Sequence, residues 1–68
     1  MTTVSQLLAD GARRLASTAE ARTLLAHAAG VDPSGLLLLD AVPEAVEGDY
    51  RGLVERRAGG EPVQYLTG

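Results

Sequence analysis

Cysteine is absent from the 68 residues, and so are lysine, phenylalanine and tryptophan. Without cysteine there is no disulfide and no thiolate metal site. With a single histidine, any metal site would have to be built mostly from carboxylates, and no cluster of acids is spaced for one. The missing lysines leave six arginines against nine acids, a net charge of −3. That balance argues against direct nucleic-acid binding, which needs a clustered basic face. No apolar run approaches the roughly 20 residues needed to span a bilayer. The opening residues, Met1 to Gln6, lack the positive n-region of a secretory signal. These absences lead us to expect a soluble cytoplasmic domain, monomeric and away from membranes.

What is present is mostly leucine, alanine and valine, with two tyrosines. Alanine and leucine are strong helix formers, so an all-α chain is expected. A chain of this size buries only roughly 60% of the surface its unfolded form exposes. Its stability should be a few kcal/mol unless a partner domain supports it.

The first amphipathic segment runs from Val4 to Leu15. Val4, Leu7, Leu8, Gly11, Ala12 and Leu15 recur at helical spacing on one face. Thr2 or Thr3 serves as N-cap, and Gln6 completes a capping box with Thr3. Gly11 costs about 1 kcal/mol in mid-helix, and close approach of another helix would account for it. Arg13 and Arg14 are placed outward, and Asp10 is spaced to pair with Arg14 one turn on. A second capping-box signature, Ser17 with Glu20, opens a helix whose face is Ala21, Leu24, Leu25 and Ala28, and Gly30 closes it.

Asp32-Pro33 is a helical start signal, and the four leucines from Leu36 to Leu39 read as a short helix buried on most sides. Asp40 to Pro43 is a loop. Glu44 to Ala58 reads as the fourth helix, with Val46, Tyr50, Leu53, Val54 and Arg57 on one face and charges that complement its dipole. Gly48 and Gly52 weaken it, so its regular part is expected to start only at Glu47 or Asp49. Gly59-Gly60 breaks it. Glu61-Pro62 then starts a last turn, with Val63 and Leu66 facing the bundle and Tyr65 a third candidate for that face. The expected architecture is all-α: a small bundle of four helices plus a short fifth C-terminal helical turn. The short connections imply mostly antiparallel neighbours.

No catalytic constellation emerges. His27 has no cysteine or serine partner at a recognisable spacing and reads as a helix-surface or boundary residue. Gly59-Gly60 is no phosphate loop, because it follows a helix and precedes a proline. Arginine pairs such as Arg13-Arg14 and Arg56-Arg57 are usually solvated. The functional alternative is that Arg56 and Arg57, with Glu61 beside them, hold a partner's polar groups. Tyr65 is either a packing residue at the bundle end or an amphipathic contact to a neighbouring domain.

The closing stretch, Arg56-Arg57-Ala58-Gly59-Gly60-Glu61-Pro62-Val63-Gln64-Tyr65-Leu66-Thr67-Gly68, resembles a family pattern, Arg-Arg-x-x-Gly-x-Pro-aliphatic-x-Tyr-aliphatic-x-Gly. That pattern ends the N-terminal domain of the release factor glutamine methyltransferases, the PrmC/HemK family. Glu20 to Gly30 is similar to the family's second helix, and the leucine-rich segment falls where the family has one. Ala28 and Ala29 depart from it, standing where bulkier aliphatic residues are common. The resemblance implies a helical domain that precedes an S-adenosylmethionine-dependent catalytic domain. That enzyme methylates the glutamine of the Gly-Gly-Gln tip in class 1 peptide chain release factors. The helical domain would help to bind and orient the release factor. Residues 1–60 would be the recognition bundle, and residues 61–68 a short turn and the start of a linker. Gly59, Gly60 and Pro62 would act as a hinge. The family's catalytic Asn-Pro-Pro-Tyr and its cofactor loop have no counterpart in this chain. No catalytic, cofactor-binding or metal-binding residue is therefore expected, and the chain alone should be inactive. A competing expectation is a stand-alone helical protein-interaction adaptor or a helix-turn-helix-like module, with Gly30-Val31-Asp32 as its turn.

Overall fold

Apolar residues at helical spacing can leave water only if their helices pack face to face. The computed structural model describes residues 2–39 and 41–67, without the side chain of Leu37. Its elements are α1 (Val4–Leu15), α2 (Thr18–Ala29), a 3₁₀ helix (Pro33–Leu38), α3 (Glu44–Ala58) and α4 (Val63–Thr67). Among the described residues there is no strand, and the all-α expectation holds. The expected loop residue Asp40 and the terminal Gly68 lie outside the described residues, and so does the expected burial of the Leu37 side chain. No helix among the described residues is long and apolar enough to cross a membrane.

Helix α2 is the hub, touching α1, α3, α4 and the 3₁₀ helix. Its Ala21, Leu24 and Leu25 are fully shielded from solvent. Around them sit Val4 and Leu7 of α1, Leu36 of the 3₁₀ helix, Val42 of the connection before α3, Tyr50 and Val54 of α3, and Leu66 of α4. The molecule measures 30 × 22 × 20 Å.

Gly11 explains how α1 and α3 come close. The Tyr50 hydroxyl donates a 2.8 Å hydrogen bond to the Leu7 carbonyl, within α1. To reach it, the ring lies directly over Gly11. A Cβ at residue 11 would collide with the Tyr50 hydroxyl and stand 3.1 Å from the Ala21 Cβ. The helix-propensity cost of Gly11 therefore goes with a buried, satisfied tyrosine. Burial pushes the Tyr50 phenol up to about 12, with the nearby Asp10 charge adding to the effect.

The helix ends follow their sequence signals closely. At α1 the capping box is complete: Thr3 Oγ1 accepts from the Gln6 N–H, and Gln6 Oε1 accepts from the Thr3 N–H. At α2 only half of the expected box forms. Ser17 Oγ accepts from the Glu20 N–H, but the Glu20 carboxylate turns to Arg57 instead. The Ser17 N–H goes to the Ala12 carbonyl. Gly30, at φ 72°, closes α2, with the Val31 N–H on the Ala26 carbonyl. Ala16 closes α1 in the same left-handed region, at φ 57°, where a Cβ is strained.

Four expectations are corrected. The leucine run is a 3₁₀ helix rather than a segment buried on most sides. Leu36 is buried and Leu38 is 85% exposed, while Leu39, already in extended backbone just past the 3₁₀ helix, packs partly on the core. Helix α3 starts at Glu44, not at Glu47 or Asp49. Its entry is pinned by the Val42 N–H on the Thr2 carbonyl, and the Glu47 N–H bonds to the Pro43 carbonyl, so Gly48 does not delay the first turn. Asp10 pairs with Arg13 at 2.6 Å and not with Arg14, which crosses to α3. Tyr65 does not face the bundle: it is 75% exposed, whereas Leu66 is buried and Val63 packs on the core.

Candidate functional site

The sequence-derived candidates gather where α3 ends. Residues Glu55, Arg56 and Arg57 are consecutive, so successive side chains leave the helix about 100° apart and fan in three directions. Each one meets a different element. Glu55 accepts two hydrogen bonds from Arg14 of α1, at 3.1 and 3.0 Å. Arg57 donates from Nε to Glu20 of α2 at 2.9 Å. Arg56 donates to Glu61, in the segment leading to α4, at 2.7 and 3.0 Å. One turn of α3 thus holds α1, α2 and the approach to α4. The paired geometry of Arg14 and Arg56 is the fork-on-carboxylate arrangement that guanidinium favours. Arg14 holds the Glu55 carboxyl below the usual carboxylate range, and Arg56 does the same to Glu61.

The backbone closes the same region. The Gly60 N–H bonds to the Arg57 carbonyl and the Glu61 N–H to the Arg56 carbonyl, the two bonds of a Schellman turn. Gly60 takes φ 110°, a conformation in which a side chain would be strained, while Gly59 stays helical at φ −79°. Pro62 is followed at once by α4, and the Tyr65 N–H bonds to the Pro62 carbonyl. The structure therefore brings Arg56 and Glu61 together, sends Arg57 to Glu20, and leaves Tyr65 facing solvent on the outer side of α4.

Beside this region a surface groove runs between α2 and α3. It is lined by His27, Ala28, Gly48, Asp49, Gly52, Leu53 and Arg56. It exists because Gly48, Gly52 and Ala28 present almost no side chain there; a Cβ at either glycine would meet open space. His27 is exposed at its edge. Among the described residues no three of His, Cys, Asp and Glu come together to hold a metal ion.

Sequence reasoning missed Glu20 and Glu55 as partners of Arg57 and Arg14. They lie 37 and 41 residues away, and no local spacing signals such pairs. The exposed Leu38 was also missed, because four consecutive leucines look buried whatever their period.

A family model described as the PrmC N-terminal domain matches residues 6–68, from the first turn of α1 through the stretch after α3. The chain belongs to the PrmC N-terminal domain family. No curated protein and no solved structure matches it. The family match runs from within α1 through α4 and includes the charged junction at the end of α3.

Proposed function

We propose that this chain is the substrate-recognition domain of a PrmC-type methyltransferase. In this reading the enzyme uses S-adenosylmethionine to methylate the side-chain amide of the glutamine in the Gly-Gly-Gln motif of class 1 peptide chain release factors. The helical domain helps to bind the release factor and orients it toward a catalytic domain. The observation that carries the reading is the family match over residues 6–68.

The chemistry of the surface supports a protein partner. Arg13, Arg14, Arg51, Arg56 and Arg57 all stand in ion pairs with carboxylates of this chain. Phosphates would have to displace those carboxylates, and the net charge of −3 opposes them as well. Tyr65, exposed and amphipathic, is the kind of side chain that serves a protein interface.

The residues present do not fit S-adenosylmethionine. A Gly-rich cofactor loop follows a strand and opens a helix, whereas Gly59-Gly60 closes a helix and precedes a proline. The domain's contribution is positional: a remote contact that holds the substrate in register lowers the barrier through orientation, without any step of bond-making.

The test is to delete residues 1–60 from the full enzyme and measure methylation of two substrates. For intact release factor, kcat/KM should fall, mainly through KM. For a short peptide carrying only the Gly-Gly-Gln tip, the rate should persist. An unchanged kcat/KM for intact release factor refutes the proposal.

A further inference from the structure

We infer that the Arg56–Glu61 pair is a latch that fixes α4 against the bundle, so that the chain leaves α3 in one direction although two glycines precede the turn. Residue 56 holds residue 61 twice. Its guanidinium makes a two-point contact with the Glu61 carboxylate at 2.7 and 3.0 Å, and its carbonyl accepts the Glu61 N–H at 3.2 Å. The two holds span Gly60, the residue whose backbone is otherwise freest to turn.

The base of the latch is itself fixed. Glu55 and Arg57, either side of Arg56, are engaged with α1 and α2, so the last turn of α3 has no room to swivel. The held element needs the help. Helix α4 has five residues, far below the length at which a helix stands alone. Its one buried side chain is Leu66. With the latch closed, α4 lies on α2 and α3 and Tyr65 is presented outward. With it open, only Leu66 and the partly buried Val63 hold the helix to the core. The inference rests on the geometry of α3 and α4 and not on the methyltransferase reading.

Native-state amide exchange of the folded chain, followed by NMR, tests it. The Glu61 and Arg56 side chains are 44% and 58% exposed, so the effect is small and local. In Glu61→Gln the amides of Tyr65, Leu66 and Thr67 should exchange roughly two- to fivefold faster, while those of α1 and α2 keep their rates. Arg56→Gln should give the same local change. Glu55→Gln, which breaks the Arg14 pair instead, should leave α4 as it was. Molar salt should speed α4 exchange in the unaltered chain and leave Glu61→Gln little changed, because the pair it screens is already gone. Unchanged α4 exchange in Glu61→Gln overturns the latch, and so does a uniform rise across all helices.

Discussion

Replacing Gly11 with alanine should cost this protein stability, although alanine is the better helix former. Propensity alone predicts a gain of about 1 kcal/mol. Against it stands the Tyr50 hydroxyl, with which the new Cβ would collide. Tyr50 is 1% exposed, and any shift of its ring away from residue 11 pulls the hydroxyl off the Leu7 carbonyl. Overpacking of this kind costs about 1–3 kcal/mol. If the ring shifts, its buried bond to the Leu7 carbonyl goes too, a further loss of about 0.5–1.5 kcal/mol. The net expectation for Gly11→Ala is a destabilisation of about 1–3 kcal/mol, or a fall in Tm of order 4–8 °C per kcal/mol in a domain this small. Tyr50→Phe removes the colliding oxygen and costs about 1 kcal/mol by itself. In the double variant the alanine should be nearly neutral, because the remaining contacts at 3.0 and 3.1 Å need only small adjustments. The cycle should therefore show a coupling of about 1–2 kcal/mol, measured by urea unfolding followed by circular dichroism. A Gly11→Ala variant more stable than the parent, or two effects that simply add, would refute the reasoning.

The same tyrosine makes an alkaline prediction. Its folded pKa of about 12 lies above the ordinary value of 10, so the folded state keeps a proton that the unfolded state releases. The contribution is whole below pH 10 and is lost as pH climbs toward 12, by at most roughly 2–3 kcal/mol; Tyr50→Phe should flatten that part of the curve in denaturant titrations. Ala16→Gly should stabilise by about 0.5–1 kcal/mol, because relief of the left-handed strain exceeds the added freedom of the unfolded chain; a thermal melt reads it directly. Leu24→Ala removes a fully buried side chain of α2 at a cost of about 2–5 kcal/mol. That is a large share of the total for a 68-residue chain, so the variant should lose its cooperative melting transition.

The parts of the fold legible in the sequence are those decided within a few residues. The faces of α1, α2 and α3 follow from apolar spacing, and the buried Val4, Leu7, Leu24, Leu25, Tyr50 and Val54 were all on the expected sides. Thr3 with Gln6 and Gly30 are local caps and are recognisable as such. The 3₁₀ helix was harder, because a leucine run has no polar positions from which to read a period, and tertiary contact with α2 decides which leucine is inside. The junction at the end of α3 was half legible. Arg56, Arg57 and Glu61 stood out as a charged group, but the Arg57–Glu20 and Arg14–Glu55 pairs join residues distant in sequence and form only once the helices have packed. The role of Gly11 was anticipated in kind, as close approach. That the approaching group would be the Tyr50 ring, bonded to a backbone carbonyl, needed the three-dimensional structure.

The most direct test of the central claim is a titration of the isotopically labelled chain with a purified class 1 release factor, followed residue by residue in NMR amide spectra. The account predicts saturable shifts confined to one surface, with Tyr65 and the end of α3 among the residues affected and the core amides unmoved. Spectra that stay unchanged up to millimolar release factor would contradict it.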